Sequence, residues 1–234
     1  MVTKRYLKQN GVADSWIDIL YELLNKEPLL SFGDRLIAER DKVCPMADSP
    51  LRVFRMPLED IRVVLLGQDP YPNSAANGLA FSKSKNYTKV PYSLQIMLDE
   101  ISRMYGLFPP PEIDTFDMEL TPWVNQGVFL LNTALTTEVS RPNAHKDLWA
   151  EFTKTIIRTI AVNNPLAIWA LMGKQAQSYE PIINAHNEMP RQIVTTSHPA
   201  ASRYGIKFVG NGFFTEINNA LEKIKSPKIN WVDG

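Results

Sequence analysis

The sequence predicts an α/β protein whose mostly parallel sheet is covered by helices on both faces. Three observations carry that prediction. Four short apolar runs have the length and residue types of buried strands: 62–66 (RVVLL), 128–131 (VFLL), 166–171 (LAIWAL) and 192–196 (QIVTT). Stretches of helical period separate and flank them. The 234 residues, 44% of them hydrophobic, can fill one sizeable core, so a single domain over 1–234 is expected.

Each element has its own signal. In 14–26 (DSWIDILYELLNK), Trp16, Ile19, Leu20, Leu23 and Leu24 share one helical face, with Asp14 or Ser15 as cap. The first strand, 62–66, runs into Gly67-Gln68-Asp69-Pro70-Tyr71. In 93–106 (SLQIMLDEISRMYG), Leu94, Met97, Leu98, Ile101 and Tyr105 form the apolar face, Ser93 is the expected cap and Gly106 the stop. The run 108–113 (FPPPEI) reads as a loop. The second strand ends at Asn132-Thr133, and 147–163 is helical. The third strand leads to Gly173-Lys174-Gln175, the fourth to Ser197-His198-Pro199, and 213–225 closes the chain as a helix.

In open α/β sheets, ligands bind outside the carboxyl ends of the strands. Asp69, Asn132, a Gly-Lys turn and His198 all follow strands, so all fall at that edge. Each has a plainer reading. Asp-Pro and His-Pro are common turn dipeptides, because the residue before proline is driven out of the helical region. A lone Asn is most often a turn residue, and a lone His is usually packed or solvated. Their coincidence at one edge is what favours a site containing Asp69 and His198.

Composition removes several classes. Lysine plus arginine equals aspartate plus glutamate, at 25 each, which excludes a strongly basic nucleic-acid coat but not a local basic patch. One cysteine, Cys44, allows no intramolecular disulfide and fits a reducing compartment. The N-terminal residues do not read as a secretory signal, and no apolar run approaches the ~20 residues of a membrane span. Three scattered histidines (His145, His186, His198) and one cysteine do not make a zinc site. The zinc-deaminase pattern, a Gly-x-Gly-x-x-Gly turn and a Gly-x-Ser-x-Gly elbow are absent, and 172–175 (MGKQ) is not a phosphate loop.

Six motifs in order go further. The run 67–82 (GQDPYPNSAANGLAFS) closely resembles the water-activating motif of family 1 uracil-DNA glycosylases, Gly-Gln-Asp-Pro-Tyr-His with Gly-Leu-Ala-Phe-Ser downstream. VPYSLQIMLDEI is similar to that family's proline-rich DNA loop, WVNQGVFLLNTALT to its second-strand motif, and AHKDLWAEFT to the segment after it. SHPAAS stands where the family has His-Pro-Ser-Pro-Leu-Ser, and the closing INW resembles the family's ending. The likeness spans Trp16 to Trp231.

The resemblance implies a three-layer α/β/α single domain on a central four-stranded parallel sheet. It implies hydrolysis of the bond between uracil and deoxyribose in DNA, an early step of base excision repair, on a nucleotide flipped from the stack. Asp69 and His198 match the family's catalytic pair. Phe81 matches the residue stacking on the base, Asn132 the reader of its edge and Tyr71 the wall against the thymine methyl. Main-chain N–H groups near Gln68 and Asp69 would hold the uracil O2. DNA contacts map to Pro91, Tyr92 and Ser93, to Gly173 and Lys174, and to Ala200, Ser202, Arg203 and Tyr204. No metal or organic cofactor is implied.

The expected partners are uracil-containing DNA, single- or double-stranded, and a DNA-mimicking inhibitor protein. The expected state is a monomer with no membrane association, in the cytoplasm, or in a host nucleus if the source is viral. Pro72 and Tyr92 depart from the family pattern. Ser202 stands at the wedge leucine and is too small to fill the gap left by a flipped base, so Arg203, or else Tyr204, is expected to do so. A competing reading is a glycosylase-like DNA-binding replication or assembly factor with little catalysis. A weaker one is altered base specificity.

Overall fold

The computed structural model describes residues 1–46, 48–107, 116–185 and 191–232. The proline-rich 108–113 run and His186 lie outside them. The chain opens with α1 (Lys4–Gln9), α2 (Asp14–Leu24) and α3 (Leu29–Ala38). Then come β1 (Val43–Cys44), β2 (Val63–Gly67), α4 (Tyr92–Met104), α5 (Thr121–Asn125), β3 (Val128–Asn132) and β4 (Thr137–Glu138). The remainder is α6 (Lys146–Asn163), β5 (Ile168–Met172), α7 (Lys174–Gln177), α8 (Glu180–Asn184), β6 (Ile193–Thr196), a 3-10 turn (Pro199–Tyr204) and α9 (Phe213–Lys223).

The four predicted strands form one parallel sheet in the order β3-β2-β5-β6. Every residue of β2, β3 and β5 is buried, so helices cover both faces and the layering is α/β/α. The register aligns the carboxyl ends. Gly67 pairs with Asn132, Leu66 with Leu171 and Met172 with Thr196. The residues just beyond each strand therefore converge on one edge.

Two aromatic clusters anchor the helices. In the first, Trp16 of α2 stacks on Phe129 of β3 at 5.8 Å, while Phe54 bridges Phe129 and Phe152 of α6. In the second, Trp123 of α5 meets Trp231 edge-on at 5.1 Å, and Phe214 of α9 packs on both. The indole N–H groups of Trp16 and Trp123 donate to the carbonyls of Met56 and Trp231, so these rings are buried without losing a hydrogen bond. Cys44 is a buried free thiol pushed up to about 11 by desolvation, which keeps it protonated and inert.

Some local expectations fail for physical reasons. Ala13, not Asp14 or Ser15, is the N-cap of α2; the Ser15 hydroxyl accepts from the Leu58 N–H at 2.9 Å instead. Pro91 caps α4, and Ser93 lies inside the first turn with its hydroxyl 3.1 Å from the Tyr71 hydroxyl. Tyr105 leaves the apolar face of α4 and is 39% exposed, while Gly106 takes the left-handed conformation (φ +65°) of a helix stop. A short antiparallel ribbon, β1 with β4, adds to the four predicted strands. Among the described residues, no helix is long and apolar enough to cross a membrane.

Candidate active site

Asp69 leaves β2 two residues past the sheet edge and is half-buried. The Asn143 N–H donates to its Oδ2 at 2.6 Å. Burial raises the carboxyl above its ordinary range, and the Asn143 N–H and the Thr137 hydroxyl oppose that rise without cancelling it. The peptide before Asp69 is pinned. The Gln68 carbonyl accepts from the Thr133 hydroxyl at 2.6 Å and the Ala134 N–H at 3.0 Å. The Asp69 N–H, on the other side of that peptide plane, meets no protein acceptor among the described residues.

Phe81 and Asn132 close around Gly67. A Cβ on Gly67 would lie 2.5 Å from Asn132 Oδ1 and 3.2 Å from Phe81 Cε2, so only glycine fits between them. Phe81 itself sits at φ +63°, a strained backbone for a bulky residue and a frequent mark of a functional site. The Tyr71 hydroxyl donates to the Phe81 carbonyl at 3.0 Å, tying the Tyr71 ring to the Phe81 backbone. Burial holds the Tyr71 phenol well above its ordinary pKa, so it stays neutral. Asn132 is 6% exposed; its side-chain amide has no hydrogen-bond partner among the described residues and stays open to solvent. The amide is therefore free to pair with a ligand in place of water.

His198 follows β6, and its ring centroid lies 5.7 Å from that of Phe81 at a 39° tilt. The Ala200 N–H donates to His198 Nδ1 at 3.2 Å. A main-chain N–H can only donate, so Nδ1 is unprotonated and the neutral ring carries its proton on Nε2. Burial lowers the imidazole pKa, which keeps the ring neutral. Gly173 (φ +86°) packs behind it; a Cβ there would come within 2.9 Å of His198 Cβ.

The outer residues fall on the rim. Pro91 and Tyr92 begin α4, and Lys174 is exposed at the start of α7. The Arg203 guanidinium lies 4.2 Å over the Tyr92 ring, a cation–π contact linking the two rim segments. Tyr204 is 85% exposed. The Ser202 hydroxyl is buried and points inward, as does that of Ser93, so neither side chain faces the rim. Cavities of about 680 and 640 Å³ lie elsewhere, the first by the amino ends of β2 and β3, the second among α1–α3, and neither includes Asp69 or His198.

Sequence reasoning missed Asn143 and Thr133. Asn143 (φ +64°) orients Asp69 with its N–H and holds Gln68 Nε2 with its Oδ1 at 2.7 Å. Thr133 joins three elements, donating to the Gln68 carbonyl and accepting from Gln175 Nε2 at 2.7 Å. The one local signal for Asn143 is its residue type, since asparagine tolerates the left-handed region.

A family model described as the uracil DNA glycosylase superfamily matches residues 55–222. A uracil-DNA glycosylase of Francisella tularensis subsp. holarctica is 34% identical over 223 residues, 93% of this chain and 98% of the relative. One from Borrelia turicatae is 36% identical over 226 residues, covering 91% and 94%. Among solved structures, mimivirus UNG Y322F in complex with UGI superposes with a TM-score of 0.80 at 25% identity, covering 96% of this chain and 90% of that one.

Proposed function

The chain belongs to the uracil-DNA glycosylase superfamily, and from that premise we infer how the strand-edge site divides the work of excising uracil from DNA. The protein is a DNA N-glycosylase, a hydrolase of base excision repair, and the reading as a non-catalytic binding factor is not favoured. The observation that carries the assignment is the unpaired, solvent-open Asn132 amide facing Gly67 beside the Phe81 ring, with the His198 imidazole 5.7 Å from that ring.

The target bond cannot be reached in a stacked duplex, so the nucleotide is extruded into the site. Phe81 stacks on the base. The Asn132 amide pairs with the N3–H and O4 of uracil, and cytosine presents the opposite pattern there. Tyr71 blocks the space a thymine methyl needs. As the bond breaks, positive charge develops on the sugar and negative charge on uracil O2. Asp69 faces the first and positions or deprotonates the water. A carboxylate with little solvent around it gains more from a developing cation than an exposed one does. The His198 Nε2–H and the free Asp69 N–H stabilise the second, each donor being worth ~3 kcal/mol in the transition state. The neutral imidazole, with Nδ1 accepting from the Ala200 N–H, presents its Nε2–H as the donor to that oxygen.

DNA is gripped by the main chain at Pro91, Tyr92 and Ser93, by Gly173 and Lys174, and by the turn carrying Ala200 to Tyr204. With Arg203 held against Tyr92, the freely exposed Tyr204 is better placed to enter the gap left by the flipped nucleotide. This reverses the order expected from sequence. The UGI complex of the mimivirus protein supports an inhibitor protein as a further partner. The test is release of free base from oligonucleotides carrying one deoxyuridine, single-stranded and paired with A or G, beside thymine and cytosine controls. Uracil-only release is expected. Release of thymine or cytosine at a comparable rate would overturn the roles given to Tyr71 and Asn132.

A further inference from the structure

Glu100 is the one residue in the middle of α4 that is both ionisable and fully buried, at 0% exposure, and nothing in the proposed chemistry uses it. Its carboxylate is saturated from two directions. From its own helix, Arg103 donates Nε at 2.9 Å and Nη2 at 3.0 Å. From the segment after the 3-10 turn, the N–H groups of Gly210 and Gly212 donate to Oε2 and Oε1. Both glycines have positive φ, +88° and +76°, so the loop turns the two donors inward in a way other residues resist. Between them Asn211 donates Nδ2 to Thr196 Oγ1 at 2.6 Å. Thr196 ends β6, two residues before His198.

A continuous path thus runs from the middle of α4 to the strand end that carries His198. The amino end of the same helix carries the Tyr92 ring under Arg203 and the Ser93 hydroxyl against Tyr71. We propose that Glu100 is a positioning residue for DNA binding: it fixes the spacing between the rim segment at Pro91, Tyr92 and Ser93 and the rim segment from His198 to Tyr204, so that both grip one DNA backbone together. This rests on the reading of those segments as DNA contacts. It leaves the chemistry alone, because His198 is held independently by Gly173 and by the Ala200 N–H.

The test is Glu100→Gln, which keeps the volume and removes the charge. Three outcomes separate by sign. Simple electrostatics predicts tighter DNA binding when a negative charge is removed. A purely structural role predicts a lower Tm with KM and kcat unchanged below it. The positioning role predicts KM for uracil-containing duplex raised about tenfold with kcat within about twofold of the parent, the pattern of lost binding rather than lost chemistry. It also predicts a shallower dependence of log KM on log salt, by about one unit if one phosphate contact is lost. Arg103→Lys, which keeps the charge but loses the paired donation to the carboxylate, serves as the second variant if the first does not fold, since Arg103 is 42% exposed, and a smaller rise in KM of about threefold is expected from it. KM at or below the parent value in the folded variants would overturn the proposal. Failure of the parent protein to release uracil would instead overturn the functional reading beneath it.

Discussion

Asn143 reaches Asp69 through its main chain, so its substitutions separate backbone geometry from side-chain chemistry. At φ +64° it occupies a region that costs most L-residues ~1–2 kcal/mol, and asparagine less. Asn143→Ala meets that penalty and loses the hydrogen bond from Gln68 Nε2, worth ~0.5–1.5 kcal/mol. The backbone relaxes towards negative φ and swings the N–H away from Asp69. Asn143→Gly loses the same side-chain bond but keeps the backbone where it is. A hydrogen bond to a charged acceptor is worth ~1.5–3 kcal/mol, so kcat/KM is expected to fall about tenfold or more in the alanine variant. The glycine variant is expected to stay within about threefold of the parent.

The pH profile gives an independent reading. The Asn143 N–H opposes the rise in the Asp69 pKa, so losing it lets that pKa climb further. In the role proposed for Asp69, the ionised carboxylate is the working form. The acid limb of kcat/KM therefore moves to higher pH in the alanine variant and stays in place in the glycine variant. The assay is uracil release across the acid range at subsaturating substrate. Identical acid limbs in the two variants, or alanine as active as glycine, would refute the argument.

Asp69→Asn is expected to slow release about 10²–10³-fold or more without lowering Tm at neutral pH. The folded-state pKa of Asp69 is raised, so its stabilising contribution is complete below the ordinary carboxyl pKa and is lost as pH rises through the folded value; calorimetry of both proteins at neutral and acid pH checks this. Tyr71→Ala is expected to open the space beside C5 and confer thymine release, and a variant still specific for uracil would show that another group guards that position. Replacing Gly67 by alanine drives a Cβ into Asn132 Oδ1 and should raise KM with the fold intact by circular dichroism; unchanged kinetics would mean that the pocket repacks freely.

The sheet is legible in the sequence because its strands are uninterrupted aliphatic runs with no competing helical period, and their carboxyl ends name the site's edge. Asp69, Asn132 and His198 are readable for that reason. The β1–β4 ribbon is not, since two residues per strand carry no alternation. Asn143 lies 74 residues from the carboxylate it orients, and no local pattern links them. Ser15 and Ser93 look like caps because cap preference is a local property, whereas tertiary partners recruit both hydroxyls. The order of Arg203 and Tyr204 on the rim is hidden because the Arg203–Tyr92 contact joins segments about a hundred residues apart, which a linear scan cannot pair.

Above all, Asp69 and His198 are held to act at opposite ends of one breaking bond. The most direct test is single-turnover uracil release by Asp69→Asn and His198→Ala, each shown to bind uracil-containing duplex as the parent does. Each variant is predicted to lose about 10²–10³-fold or more in the chemical rate with binding retained. A variant that binds normally and cleaves at the parent rate would contradict that division of labour.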